Sequence, residues 1–217
     1  MIGLELSQIP SPLRILAIGC HADDIEIGCG GTILRLIATH PSVEVCWVVL
    51  SAHGERADEV HASAEAFLRG SQRQQILVGD FRDGFLPYSG GDVKQFFEDL
   101  KPVIAPDLIL THYGDDRHQD HRLASELTWN TFRDHFILEY EVPKYDGDLG
   151  SPNVFVPLDE SLVDEKLRLL HTHYASQHGK HWFEDELFRG LMRLRGMESA
   201  TRYAEAFTCR KLPLRLA

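Results

Sequence analysis

No stretch of the 217-residue sequence is rich in lysine or arginine. The chain carries 22 Lys and Arg against 33 Asp and Glu, a net charge of -11. Binding to nucleic acid requires clustered positive charge that displaces counterions from phosphates, so that class of partner is excluded. No run approaches the roughly 18 apolar residues that a membrane-spanning helix needs. The opening residues, Met1 to Glu5, lack a basic segment followed by an apolar one. The expectation is therefore a chain with no integral membrane segment and no secretory leader, with a cytoplasmic address. Cysteine is scarce. Cys20, Cys29, Cys46 and Cys209 show no paired ligand spacing and are too few to frame a chain of this length, so they read as buried thiols. Internal repeats and low-complexity tracts are missing too. Apolar residues make up 43% and charged residues 25%, which excludes disorder, collagen-like repeats and coiled coil.

Histidine is what the chain has in plenty. There are twelve, and His112, His118 and His121 fall within ten residues. Imidazole is the commonest metal ligand and the usual proton shuttle near neutral pH.

Residues 14–20 are mostly apolar and are closed by a polar, glycine-rich stretch, as a buried parallel strand is. Gly30 and Gly31 then lead into a helical pattern over 32–38, so the chain opens with a βα unit. Further strands are expected at 43–50, 75–78 and 107–111, and helices at 55–69, 91–101 and from about 122 to 132. Strands alternating with helices imply an α/β fold with a mostly parallel sheet covered on both faces. After residue 136 the alternation weakens. Residues 137–142 and 154–156 read as strands separated by turn material (Pro143, Gly147, Gly150, Pro152), and 162–171 and 184–195 as helices. The length gives a prior of about 1.4 domains, and no linker divides the chain. One domain over 1–217 is expected, with the last third, from about 137, as an elaboration.

Two polar loops, His21-Ala22-Asp23-Asp24 and the segment from His112 to His121, come directly after expected parallel strands. Right-handed crossovers bring all such loops to one edge of the sheet, where open α/β folds bind ligands. A mixed set of imidazoles and carboxylates suits zinc held by three protein ligands, with a fourth position for water. Neither His21-x-x-Asp24 nor His118-x-x-His121 is specific alone; their placement after two strands of one sheet is more so. Spacing does not order the two aspartates, but it gives a reason for having both. A carboxylate bound to a metal cannot also take a proton from water. The competing reading of Asp23-Asp24 is a helix N-terminal cap.

The segment from His21 to Gly31, HADDIEIGCGG, resembles the H-P-D-D-x-x-x-G-x-G-G signature of the GlcNAc-phosphatidylinositol de-N-acetylase (PIG-L/LmbE-like) family. His118-Gln119-Asp120-His121-Arg122 resembles its H-P-D-H-R segment. Tyr174-Ala175-Ser176-Gln177 and Tyr203-Ala204-Glu205-Ala206-Phe207 are similar to two later ones. Ala22 and Gln119 replace the usual prolines, and Ile25 stands where a third acidic residue is often found. The resemblance implies a Rossmann-like three-layer α/β/α sandwich. It also implies a hydrolase that removes the N-acetyl group from an acetamido sugar or sugar conjugate by metal-activated attack of water. His21, Asp24 and His121 are then the metal ligands, with Zn2+ as cofactor, although nitrogen and oxygen donors accept other divalent ions. Asp23 is the general base, and His118 the positively charged or acid partner. The proton for the departing amine comes from either Asp23 or His118.

Asp120 orients one of the histidines or caps the helix before Arg122, and Asp116 orients His118 or supports the loop. Arg56, by resemblance, contacts substrate, and His53 follows a strand on the same edge, where a surface or packing role competes. Tyr174 and Gln177 contribute a lid by resemblance alone, with Tyr174 as a substrate contact. His112 reads as a packing or surface histidine, and His171, His173, His178 and His181 as solvated. Gly28, Gly30 and Gly31 do not have dinucleotide-loop spacing, which argues against a methyltransferase or dehydrogenase, and close loop packing around the metal is the expected use. A non-catalytic sugar- or metal-binding module on the same scaffold is the competing function. The identity of the acetamido substrate and the oligomeric state, a homo-oligomer included, stay open.

Overall fold

Strand β1, Leu13–His21, divides its side chains between two cores. Leu13, Ile15 and Ala17 enter one, and Leu16, Ile18 and Cys20 the other. This is the alternation of a strand covered on both faces. The computed structural model describes residues 11–213. Its further elements are α1 (Asp24–Thr39), β2 (Val43–Ser51), α2 (Glu55–Phe67), β3 (Arg73–Val78), α3 (Gly90–Leu100), β4 (Leu108–His112), α4 (Gln119–Thr131), β5 (Ile137–Tyr140), β6 (Val154–Leu158), α5 (Glu160–His173), α6 (Asp185–Glu198) and β7 (Tyr203–Thr208).

The strands form one sheet in the order β3-β2-β1-β4-β5-β7-β6. The first five are parallel, and β7 runs antiparallel to both of its neighbours. Side chains of α1, α2, α5 and α6 fill one core and those of α3 and α4 the other, giving the expected three-layer α/β/α sandwich with a mostly parallel sheet. The strand order reverses at β1, which has β2 on one side and β4 on the other. Ligands of open α/β sheets bind at the carboxyl ends of such a pair. His21 and His112 end these two strands.

Three features differ from the sequence reading. The helix after β1 starts at Asp24, so Gly28, Gly30 and Gly31 lie inside it rather than in a loop around a metal. Glycine costs a helix interior up to about 1 kcal/mol relative to alanine, and tertiary packing explains its use here. A Cβ on Gly28 would stand 2.1 Å from Tyr140, and one on Gly31 2.6 Å from Leu158. The glycines let α1 lie against the sheet. The second difference is β7, which the sequence shows only as a motif and which is a buried strand inserted between β5 and β6. The third is α4, which begins at Gln119 and so carries Asp120 and His121 in its first turn.

β7 also brings a charge into the core. Glu205 accepts the backbone N–H groups of Gly31 (2.8 Å) and Thr32 (2.6 Å) and the ammonium of Lys166 (2.7 Å). Lys166 in turn donates to the Ile27 carbonyl at 2.6 Å. The ion pair thus serves the Ile27 carbonyl and the Gly31 N–H, which an α-helix would pair with each other.

Cys20, Cys29 and Cys46 are buried, Cys209 is partly exposed, and all four are free thiols. Among the described residues no helix is long and apolar enough to cross a membrane. Met1 to Glu5, which carry the expectation of no leader, lie outside the described residues.

Candidate metal and catalytic site

After His21 the chain turns at Asp23, whose φ of 86° is left-handed. Aspartate visits this region more readily than most residues, and such conformations cluster at functional sites. The turn sets Asp23 and Asp24 on different sides. Asp24 Oδ2 lies 3.4 Å from His21 Nδ1 and 3.5 Å from His121 Nε2, and the two imidazole nitrogens are 3.2 Å apart. Ligands at 2.0–2.1 Å around a tetrahedral ion stand about 3.3 Å from one another. The three donor atoms therefore fit zinc in spacing as well as in type. Asp23 instead faces Arg56, whose Nη2 donates to its Oδ2 at 2.9 Å and to the Ala22 carbonyl at 2.7 Å. Spacing in sequence leaves the two aspartates unordered, and this geometry separates them. Asp23 holds the N-terminal cap position of α1 but makes no side-chain cap hydrogen bond.

Each imidazole is oriented from behind. His121 Nδ1 lies 2.9 Å from Asp116 Oδ2, which fixes a proton there and leaves the Nε2 lone pair to the cluster. Asp116 also accepts the ammonium of Lys144 at 2.8 Å and, through Oδ1, the backbone N–H of His118 at 2.7 Å. It supports the loop and orients His121, not the His118 ring. Burial works against its charge, yet His121 and Lys144 hold its carboxyl well below the usual range. His21 Nε2 lies 3.1 Å from Asp120 Oδ2 and 3.0 Å from Asp83 Oδ1. Asp120 also accepts the backbone N–H groups of Gly84 and Leu86. It therefore ties His21 to the loop after β3 instead of orienting either flanking histidine.

The electrostatics follow from burial and these pairs. Burial lowers the His21 pKa, but hydrogen bonds to Asp120, Asp24 and Asp83 carry it well above the usual imidazole range. Burial and the neighbouring His112 push His121 down to about 4. Burial raises Asp23 to about 7, against the pull of Arg56 and with a push from Asp24. His118 caps α4, its Nδ1 accepting the Asp120 N–H at 3.3 Å. Burial and the His21 charge hold its pKa below the ordinary value.

These groups open into a cavity of about 960 Å³ lined by His21, Asp23, Asp24, Arg56, His118 and His121. Arg56, expected to contact substrate, lines it with a guanidinium bonded to Asp23, Ala22, Glu59 and Ser176. His53 sits at the wall, half-exposed and paired with Asp80 at 2.7 Å. Tyr174, read as substrate-binding, is fully buried and does not line the cavity. Its hydroxyl donates to Glu26, and its ring lies 5.0 Å under the Arg56 guanidinium. Gln177 does line it.

Besides Asp83 at His21, two residues gain a place that sequence reasoning does not give them. His112 is fully buried beneath the cluster, its Nε2 3.2 Å from Asp24 Oδ2 and its ring stacked on His121 at 3.8 Å. A signal for it exists, since it ends β4 as His21 ends β1. The second is Lys144, which no local pattern marks. His181, read as solvated, lines the cavity, whereas His171 pairs with Asp185 at 2.6 Å and His178 with the His171 carbonyl at 2.9 Å.

Comparison with known proteins adds relations of family and of fold. Residues 16–132, which hold both loops, match the model of the family described as PIG-L: GlcNAc-PI de-N-acetylase. The chain is 31% identical over 179 residues to the uncharacterized deacetylase YaiS of Escherichia coli, covering 77% of this chain and 94% of that protein. It is 28% identical to the diacetylchitobiose deacetylase of Thermococcus kodakarensis, covering 88% of this chain and 81% of that one. Among solved structures, 4-carboxy-2-hydroxymuconate hydratase GalB from Pseudomonas putida superposes with a TM-score of 0.76 at 17% identity, covering 94% of this chain and 100% of that chain. At that identity the likeness concerns the fold alone.

Proposed function

This chain belongs to the PIG-L (GlcNAc-PI de-N-acetylase) family, and from that premise we propose that it is a zinc-dependent N-deacetylase acting on an acetamido sugar or sugar conjugate. The observation that carries the reading is the triangle of His21 Nδ1, Asp24 Oδ2 and His121 Nε2 at 3.2–3.5 Å, with Asp23 beside it and outside it. Those three atoms would hold the ion. When bound, zinc supplies a Lewis acid that brings the pKa of water to about 7 and polarises a carbonyl oxygen. Other divalent ions suit the same donors.

The remaining steps belong to the protein. Arg56 fixes Asp23 Oδ2 and leaves Oδ1 to accept a proton from the attacking water. A carboxyl with a pKa near 7 is matched to that task close to neutrality. His118 accepts the Asp120 N–H on Nδ1, so its neutral ring carries the proton on Nε2. That N–H donates to the oxygen that gains charge as the acetamide carbonyl becomes tetrahedral. A neutral imidazole is a poor acid, so the proton held by Asp23 is the one returned to the nitrogen as the C–N bond breaks. Acetate and an amine leave.

The competing reading, a module that binds sugar or metal without chemistry, needs neither Asp23 nor the arginine that holds it. The fold likeness to a hydratase leaves the reaction class to the site itself. The deciding experiment is acetate release from N-acetylglucosamine and its glycosides, with metal removed by chelator and then restored. Release that stops and returns with the metal supports the reading. A metal-loaded protein that releases no acetate from any acetamido sugar overturns it.

A further inference from the structure

The cavity above the metal ligands, at about 960 Å³, lies at the upper end of the range for a drug-sized ligand and exceeds the needs of one sugar ring. Besides the catalytic side chains it is lined by the apolar Ile27, Val142, Leu149, Trp182 and Leu187. Ile27 stands one turn beyond Asp24 on α1, Val142 and Leu149 come after β5, Trp182 precedes α6, and Leu187 lies in its first turn. Leu149 is 44% exposed and Leu187 38%. Large apolar side chains left open to water on the wall of a concave site mark the surface that a ligand covers. Tyr145 and His181, joined by a 3.1 Å hydrogen bond, connect the two loops that carry these walls.

The charges point the same way. Arg56 is bonded to Asp23 and Glu59, and Lys144 to Asp116 and Asp148. Among the described lysines and arginines lining the cavity, Lys180 alone lacks a carboxylate partner; it donates to Gln177 and lies 6.0 Å over the Trp182 ring. Asp23, Asp24 and Asp83 line the same space. Beyond the ion and the paired Arg56 and Lys144, a phosphate would meet a single ammonium, that of Lys180.

We propose that the substrate carries a neutral aryl or alkyl group next to its acetamido sugar, seated against Ile27, Leu149, Trp182 and Leu187. This rests on the N-deacetylase reading. The test uses the metal-loaded full chain with N-acetylglucosamine, its phenyl glycoside and its 1-phosphate, following acetate release. Calorimetric binding of the same three probes is measured alongside. Covering the ring carbons of a phenyl group predicts a KM about tenfold below that of the free sugar. The 1-phosphate gains nothing over the free sugar, and Leu187→Asp brings the phenyl-to-free ratio close to one. Equal KM values for all three probes, or a lower one for the 1-phosphate, overturn the proposal while the deacetylase reading stands. Tighter binding of the phenyl glycoside without acetate release from any probe removes the deacetylase reading and leaves the apolar subsite in place.

Discussion

The first two-thirds of this chain and its last third contribute to one cavity in different ways. From β1 to α4 the chain is parallel α/β, and its candidate site residues sit at strand ends: His21 ends β1, His112 ends β4, and Asp116, His118 and His121 follow β4. From β5 onward the chain adds the antiparallel β7, a buried ion pair against α1, and the loops that wall the cavity with Leu149, Trp182 and Leu187. On the proposed reading the parallel strands hold the reacting groups, and the last third shapes the surroundings of the substrate. Such a division lets one reaction centre serve different substrates through changes in the later segments.

The comparison breaks if catalytic residues behave as structural ones, so the largest effect belongs at Asp23. Asp23→Asn is expected to cut acetate release about 10²- to 10⁴-fold, the usual worth of a positioned acid or base, while metal content and thermal midpoint hold. Because Asp23 has a raised pKa of about 7, kcat/KM in the wild type falls as pH drops through its ionisation, and the added positive charge of a bound cation moves that limb to lower pH. Asp23→Asn retains no such acidic limb, which pH profiles of the two proteins will show.

The opposite behaviour is expected at Lys166. Lys166→Met strands Glu205 in the core and costs about 3–5 kcal/mol of stability, as loss of one partner from a buried pair does, read by denaturant unfolding. A variant as stable as the wild type would remove the ion pair's place in holding β7 against α1. The smallest effect sharpens the boundary between the two regions, because Lys144 reaches from the later one to Asp116. Lys144→Met is expected to weaken metal affinity about 10-fold through Asp116 and His121, with a loss of stability smaller than that of Lys166→Met. Titration with a competing chelator measures this.

The same division governs how much of the molecule is legible in its sequence. Residues 14–20 and 107–111 read as strands because each is apolar and ends in turn material, and from them the convergence of the two loops follows. The start of α1 does not, because Gly28 and Gly31 look like loop residues until Tyr140 and Leu158 are seen beside them. β7 escapes because its Ala-Glu-Ala centre lacks the branched and aromatic residues that mark strands. Its buried glutamate makes sense only once Lys166 faces it. Resemblance suggests a substrate contact for Tyr174, but burial turns it toward Glu26 and Arg56. Lys144 and Trp182 sit in loops, whose paths carry no periodicity to read.

The most direct measurement is the coordination of the bound ion in the wild type and in the Asp24→Asn and Asp23→Asn variants, by metal analysis with X-ray absorption. One ion per chain is expected, with two imidazoles and one carboxylate at about 2.0–2.2 Å, lost with Asp24 and kept with Asp23. An ion that survives loss of Asp24, or leaves with Asp23, contradicts the assignment of the two neighbouring carboxylates.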